Sequence, residues 1–404
     1  MKVYKVGGAV RDKLLNYPFT DEDWVVVGAE PRELINKGFI QVGIDFPVFL
    51  HPESKDEYAL ARSERKSGLG YKGFEFFTGT QVTLEQDLSR RDLTVNAMAE
   101  DYDGKIIDPY RGQDDLSKKI LRHVSGAFVE DPLRVLRVAR FAARYHHLGF
   151  KIADETMFLM TSIANSGELK YLSSERVWLE TEKALKERSP STYIEILYKC
   201  KALTKIFPEI SRIFDISSER DKIDAKSHTL SILDYVAKLD LDPCTRFAVL
   251  FSNIHLGGEP NPSIPSKTKS SDRAIEVINS LFDRLKAPNR YRKFTITFIK
   301  YKDLCHSLKN LEAQTILDML KGIGAFKKTK NLEKFIYCCE AEAQITQENK
   351  DDNKIYEPGV WLKEAFSQIM LINNKELISE GYSGIKLGQE IDVRRKRIIS
   401  GLLR

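Results

Sequence analysis

Short apolar runs alternate with polar positions through the first 125 or so residues. Val3–Val6, Trp24–Val27, Glu57–Arg62 and Lys105–Tyr110 read as β-strands, separated by helical stretches and many glycines. This pattern predicts an α+β N-terminal domain with a small mixed sheet over residues 1–125. From about Phe128 the glycines thin out and apolar residues recur at helical spacing, in Glu130–Tyr145, Ser173–Glu187 and Ser191–Cys200. The remainder is therefore expected to be helical, divided into residues 126–215 and 216–404. The Pro-, Ser- and Gly-rich stretch Gly257–Asp272 reads as a long loop, and the segment from Gln347 as a polar break. No internal repeat is seen.

Length supports more than one core, since 404 residues exceed an ordinary single domain. Apolar content of 42% with 30% charged residues fits a soluble globular chain, and no run approaches the roughly 18 apolar residues of a membrane span. The start, MKVYKVGGAVRD, lacks the apolar segment of a secretory signal, so a cytoplasmic protein is expected. Cys200, Cys244, Cys305, Cys338 and Cys339 show no metal-ligand spacing, and their odd number argues against a disulfide framework. With 63 basic against 58 acidic residues, the net charge of +5 does not by itself identify a nucleic-acid binder.

The first candidate chemistry sits at Gly7-Gly8, which follows an apparent strand and opens the helix-like run Arg11–Asn16. Free backbone N–H groups beside a helix start suit a triphosphate. Asp21-Glu22-Asp23 then leads directly into Trp24–Val27, so Asp21 and Asp23 share one face of an extended chain and Glu22 points away. Paired carboxylates repel unless a cation lies between them, and hard Mg²⁺ favours such oxygens together with substrate phosphates. Alone, a glycine pair reads as a tight turn and an Asp-Glu-Asp run as a solvated one. Together they favour a metal-dependent nucleotide site with Asp21 and Asp23 as catalytic metal ligands.

GGAVRD, the Asp-x-Asp strand, RRDLTVNAMA (Arg90–Ala99) and EDPLRVLRVARFAAR (Glu130–Arg144) occur in this order. The set resembles the class II tRNA nucleotidyltransferases of the bacterial CCA-adding type, collinearly from Met1 to about Leu185 and in outline beyond. The resemblance implies a nucleotidyltransferase head followed by all-α neck, body and tail regions that hold the tRNA acceptor and TΨC arms. It also implies CTP and ATP as substrates. Ribose and triphosphate contacts fall by resemblance on the Arg90–Asn96 stretch, read here as one or two helical turns. Arg91, Asp92 and Asn96 suit them, because guanidinium groups pair with phosphate while carboxylate and amide groups hold sugar hydroxyls. Gly8 and Arg11 join this nucleotide-binding set.

Asp131 and Arg134 stand three apart at a helix start and can share one face. Cytosine and adenine both offer an exocyclic amine beside a ring-nitrogen acceptor, whereas uracil and guanine offer a carbonyl beside N–H. An Asp–Arg pair therefore accepts CTP and ATP, in agreement with the role the resemblance implies; a plain intrahelical ion pair is the alternative. Arg137, Arg140 and Arg144 continue the basic spacing, with Arg137 and Arg140 as further nucleotide contacts. Arg62–Gly73 resembles the family's flexible loop, linked to the switch from CTP to ATP. Glu175 and Arg176 match a neck motif that implies bracing of the base-reading helix.

Many relatives carry a metal-dependent phosphohydrolase segment with a His-Asp pair after the neck. Here Ser252-Asn253 occupies that position, and His228 and His255 read as remnants, so a platform without phosphohydrolase activity is expected. Arg290–Lys293, Lys327–Lys330 and Arg394–Arg397 supply basic clusters for RNA. The overall expectation is a monomeric CCA-adding enzyme. A terminal-adenosine-adding enzyme, a bacterial poly(A) polymerase and a non-catalytic tRNA-binding protein are the alternatives.

Overall fold

The computed structural model describes residues 1–19, 22–42, 48–66, 74–216, 224–239, 242–254, 270–346 and 355–403. The chain divides into two units, Met1–Ile206 and Phe207–Arg404. In the first, the elements begin β1 (Lys2–Val6), α1 (Gly8–Leu14), β2 (Asp23–Val27), α2 (Pro31–Asn36), β3 (Ile40–Val42), β4 (Val48–Leu50) and β5 (Glu57–Leu60). They continue with β6 (Arg62–Lys66), β7 (Phe74–Thr78), α3 (Leu84–Ser89), β8 (Ala99–Glu100), β9 (Ile106–Ile107) and α4 (Gly112–Lys118). Seven strands form one mixed sheet in the order β3-β4-β5-β2-β1-β8-β9, in which only β2 and β5 run parallel.

Period-two alternation buries the sheet on both faces. Val25 of β2 packs with Val6, Ala61, Leu84, Leu88, Ala97 and Ala99 on one face, and its neighbour Val26 packs with Ala29, Leu34, Phe49 and Leu60 on the other. The helix α2 is fixed by a capping box between Glu30 and Glu33 with proline at its start, and α3 by another between Thr83 and Gln86. The antiparallel pair β6–β7 stands outside the main sheet. Its connection, Ser67–Gly73, holds the glycine-rich part of the expected flexible loop and lies outside the described residues.

Past the sheet come β10 (Ile120–Leu121), α5 (Leu133–Tyr145), β11 (Lys151–Ile152), α6 (Asp154–Ser166), α7 (Ser174–Lys186), α8 (Pro190–Lys199) and α9 (Leu203–Ile206). Among the described residues β11, paired in parallel with β10, is the one strand of an otherwise helical remainder. The helix α5 buries eleven of its thirteen residues and packs against α7 and α8. Residues 126–206 of the expected neck thus fall in one unit with the head, while its last residues, 207–215, fall in the second unit.

The second unit is helical throughout its described residues: α10 (Pro208–Phe214), α11 (Ala225–Lys238), α12 (Pro243–Val249), α13 (Ser270–Leu285), α14 (Asn289–His306), α15 (Ala313–Ile323), α16 (Thr329–Thr346), α17 (Glu357–Met370), α18 (Asn374–Ser379) and α19 (Gly384–Leu402). Its core includes Phe247, Phe251, Phe282, Tyr291, Phe298 and Phe335, all buried. No helix among the described residues is long and apolar enough to cross a membrane.

Candidate active site

The turn between β1 and α1 is built on Gly7, whose φ of 70° and ψ of −126° favour glycine. Its N–H donates to Met98 O at 3.2 Å, and a Cβ there would stand 2.7 Å from Arg91 Nη1. The missing side chain therefore lets Arg91 approach the turn. Register sets Asp23 opposite Val6, immediately before this turn. Glu22 pairs with Lys5 Nζ at 2.6 Å, whereas Asp23 lines the cleft that the turn borders. Asp21 lies outside the described residues.

That cleft, about 480 Å³, lies wholly within the first unit and is lined by nine arginines against three aspartates. Every nucleotide-contact candidate named from the sequence borders it: Gly8, Arg11, Arg91, Asp92, Asn96, Asp131, Arg134, Arg137 and Arg140. Arg62, Arg90, Arg144, Arg176 and Phe141 border it as well.

The side chains are held by one another as much as they face the opening. Arg11 is 3% exposed, forks onto the neighbouring Asp12, donates to Asn96 Oδ1 and lies 5.1 Å from the ring centres of Phe141 and Tyr145. Asn96 Nδ2 donates in turn to Asp92 Oδ1 at 2.8 Å, which also accepts from Leu93 N–H, while Asp92 Oδ2 accepts from Arg137 Nε at 2.7 Å. Burial by itself would raise the Asp92 carboxyl, but Arg137 and the amide of Asn96 hold it well below the usual carboxylate range. Arg137 is raised by the Asp92 charge, against its own desolvation, with help from Glu180. The Arg90–Asn96 stretch differs from the one or two helical turns read from the sequence. The helix α3 ends at Ser89, and only Thr94–Asn96 forms a single 3-10 turn. Gly112 accounts for the tightness there, since a Cβ would come 2.4 Å from Thr94 O.

Asp131 precedes α5 in extended conformation, with φ −111° and ψ 106°. Its Oδ1 accepts from Leu133 N–H at 3.0 Å and its Oδ2 from Arg176 Nη2 at 2.9 Å. Arg134 donates from Nη1 to Ala127 O at 2.7 Å and from Nη2 to Arg90 O at 2.5 Å. Both residues border the same cleft, each anchored separately. Arg140 turns to Glu180 Oε2 at 2.7 Å and lies over the Phe141 ring at 4.4 Å.

Three buried carboxylates escaped the sequence reading as site components: Asp12, Asp87 and Glu180. Asp87 carried a local signal, standing in the last turn of α3 three and four residues before Arg90 and Arg91, which follow the helix end. The partners of the other two include residues 40 and 132 positions away, and no local signal marks those contacts.

Residues 3–122 match the family described as "Poly A polymerase head domain", and residues 149–214 match "Probable RNA and SrmB- binding site of polymerase A". These two stretches belong to domain families of the poly(A) polymerase superfamily of nucleotidyltransferases. The Gly7–Gly8 turn, Asp23 and the Arg90–Asn96 stretch all fall inside the head-domain match of this superfamily. Solved structures share its fold across the chain. The Thermotoga maritima CCA-adding enzyme complexed with tRNA is 19% identical, covering all of this chain and 90% of its own, with a TM-score of 0.63. The Bacillus stearothermophilus CCA-adding enzyme in complex with CTP is 22% identical, covering 99% and 89%, with a TM-score of 0.62. A complex of a CCA-adding enzyme with ATP is 21% identical, covering 99% and 86%, with a TM-score of 0.66.

In the second unit, His228 sits between Asn253 and Thr346. The Asn253 amide donates to His228 Nδ1 at 2.9 Å, and Nε2 stands 3.0 Å from Thr346 Oγ1. Desolvation lowers the His228 pKa, which suits this neutral arrangement. Ser252 is buried and donates to Val249 O at 2.9 Å. His255 lies outside the described residues.

The basic clusters differ in their surroundings. Arg394 pairs with Glu380 and Glu390, and Arg395 with Asp392. Arg290, Lys293, Phe294, Thr297 and Asn331 instead line a second cleft of about 460 Å³, and Lys327, Lys328 and Lys330 are exposed on the segment leading to Asn331.

Proposed function

We propose that this chain is a CCA-adding tRNA nucleotidyltransferase, joining C, C and A from CTP and ATP to the 3′ end of tRNA. One observation carries the reading: Asp131 and Arg134, an acceptor and a donor suited to the Watson–Crick edges of cytosine and adenine, border the same arginine-lined cleft as the Gly7-Gly8 turn and Asp23. Complexes of proteins with this fold carrying tRNA, CTP or ATP support it.

In this reading the nucleotide's phosphates lie against Arg91, Arg137 and the amides of the glycine turn, where guanidinium groups supply charge-assisted bonds. Asp92 and Asn96 orient the ribose, and Asp131 with Arg134 reads the base. The tRNA 3′ hydroxyl attacks the α-phosphorus, one phosphodiester bond forms, and pyrophosphate leaves. Asp23 fits a divalent cation, since it offers a hard oxygen at the cleft next to the phosphate-facing turn. Mg²⁺ held there with Asp21 would supply charge neutralisation for the attacking and leaving oxygens.

The exposed lysines and the cleft of the second unit would grip the tRNA backbone by charge and shape, because an enzyme serving all tRNAs cannot read variable bases. With Asn253 and Ser252 at the usual His-Asp position, we propose no phosphohydrolase activity.

The test incubates the protein and Mg²⁺ with tRNA transcripts ending before CCA, after C and after CC, each with CTP, ATP or both. The expected result is completion of CCA on every transcript and no incorporation from UTP or GTP. Long adenosine tails would establish a poly(A) polymerase, addition only to the CC transcript a terminal-adenosine enzyme, and binding without incorporation a non-catalytic tRNA binder.

A further inference from the structure

Behind the wall of the first-unit cleft stand three buried carboxylates that do not themselves line it, each beneath two of its arginines. Asp12, 2% exposed, accepts from Arg11 Nε and Nη2, both at 2.8 Å, and from Arg144 Nη2 at 3.0 Å, with Tyr145 OH completing its shell at 2.6 Å. Asp87, fully buried, accepts from Arg90 Nη2 at 2.8 Å and from Arg91 Nη2 at 3.2 Å. Glu180, 3% exposed, accepts from Arg140 Nε at 2.7 Å and has Arg137 Nη1 4.0 Å away.

The arrangement recurs on three unrelated pieces of backbone, α1, α3 and α7. Asp12 and Asp87 each take some N–H groups of two guanidinium forks, while Glu180 takes one from Arg140 and stands within ion-pair distance of Arg137. A fork fixed on one edge by a buried acid presents its remaining N–H groups in one direction, and the acid offsets repulsion between the two cations. The Asp12 and Asp87 trios each keep one net positive charge for an incoming anion, whereas at Glu180 the Asp92 carboxylate on Arg137 balances the second arginine.

We propose that Asp12, Asp87 and Glu180 are positioning residues for the nucleotide, acting through the arginine pairs Arg11/Arg144, Arg90/Arg91 and Arg137/Arg140. This rests on the reading of the cleft as the nucleotide site. The acids touch no phosphate; they decide where the guanidinium groups stand when the triphosphate arrives.

A neutral, isosteric amide separates orientation from charge. Asp12→Asn, Asp87→Asn and Glu180→Gln each make the cleft more positive by one charge. If the arginines act only through their summed field, CTP and ATP bind more tightly. If their orientation matters, binding weakens even though the charge is more favourable.

The experiment measures CTP and ATP dissociation constants on the full chain with Mg²⁺ and without tRNA, alongside thermal unfolding and the incorporation assay. The expected result is affinity weaker by about tenfold per variant, equivalent to one lost charge-assisted contact, with the KM for nucleotide rising and kcat changing much less. Asp87→Glu and Glu180→Asp keep the charge but move it by one methylene, and they too should weaken binding. Unchanged or tighter binding in the amide variants would overturn the proposal. So would loss of folding in all three, or a fall in kcat and thermal stability with KM unmoved, since those outcomes assign the acids to the core alone. Failure of the wild type to bind either nucleotide would instead defeat the functional reading.

Discussion

Replacing Gly7 by alanine tests the glycine turn and its arginine neighbour together. The backbone at Gly7 has φ 70° and ψ −126°, a conformation that costs a non-glycine residue about 1–3 kcal/mol. The new methyl would lie 2.7 Å from Arg91 Nη1. Arg91 must then retreat by about 0.8 Å to reach ordinary contact. That retreat lengthens an already weak 3.4 Å bond to Asn96 O and shifts the 3.2 Å ion pair with Asp87. Against this, alanine reduces the freedom of the unfolded chain, worth about 0.4–1 kcal/mol. The net expectation is a loss of about 1–2 kcal/mol, a fall of roughly 2–8 °C in the unfolding temperature for a unit of this size. Nucleotide affinity should fall as well, because Arg91 leaves the turn. Gly8→Ala is the control. Gly8 begins α1 without a left-handed φ, and its added Cβ would meet Arg11 Nη2 at 3.4 Å, so helix propensity of up to ~1 kcal/mol roughly offsets the tight contact. Unfolding followed by circular dichroism and CTP binding on both variants decide the matter. A Gly7→Ala protein as stable as wild type, or less perturbed than Gly8→Ala, would refute the account of the turn.

Further outcomes follow from the same geometry. Asp23→Asn should abolish incorporation while tRNA affinity in a filter-binding assay stays within about twofold, because the RNA grip resides mainly in phosphate contacts to basic side chains. Lys293→Glu combined with Lys328→Glu should raise the KM for tRNA about tenfold or more and leave the KM for CTP unmoved, with the tRNA effect shrinking at high salt. Asp92 is depressed in the folded state, so its contribution to stability is complete above the unfolded value near about 3.9 and is lost as pH falls below it. The stability gap between wild type and Asp92→Asn, followed by urea unfolding, should be flat from about pH 5 to 8 and close below about pH 4. All five cysteines are buried, and burial pushes the Cys200 thiol up to about 11 and the Cys244 thiol to about 12. A thiol reagent at neutral pH should therefore label the folded protein slowly and the urea-unfolded protein at once.

The division into an α+β start and a helical remainder was legible because it depends on local periodicity. Trp24–Val27 alternates on the sheet, and Leu133–Tyr145 repeats at helical spacing. The two-residue strands β8, β10 and β11 were not, since such segments carry no periodic signal and exist only because a neighbour supplies their hydrogen bonds, whereas β9 falls inside the Lys105–Tyr110 run that did read as a strand. The glycine turn, Asp23 and the Arg90–Asn96 stretch could be named from the chain, and the fold brings them to one cleft. What escaped was the layer behind them. Tyr145 and Arg144 reach Asp12 across more than 130 residues, and Arg140 reaches Glu180 across 40, so each acid looks like an ordinary surface charge when its own helix is read alone.

That hidden layer bears on how a cleft so rich in arginine exists at all. Two cations about 6 Å apart repel by roughly 3 kcal/mol at an effective dielectric near 20, so a group of arginines gathered to receive phosphates opposes folding until the phosphates arrive. The cleft wall meets this by adding acids where a nucleotide cannot reach them. Asp12, Asp87 and Glu180 lie beneath the guanidinium groups, whereas Asp92 and Asp131, which do border the cleft, are each tied to an arginine, Arg137 and Arg176. The distinction matters for binding. An acid in the opening competes with the phosphate for the same N–H groups, while an acid behind the wall takes only the edge of the fork that faces away. Arg137 joins both classes, with Nε on Asp92 in front and Nη1 towards Glu180 behind. It is therefore the arginine whose orientation depends on both walls, and the one through which a change at Glu180 reaches the Asp92–Asn96 pair.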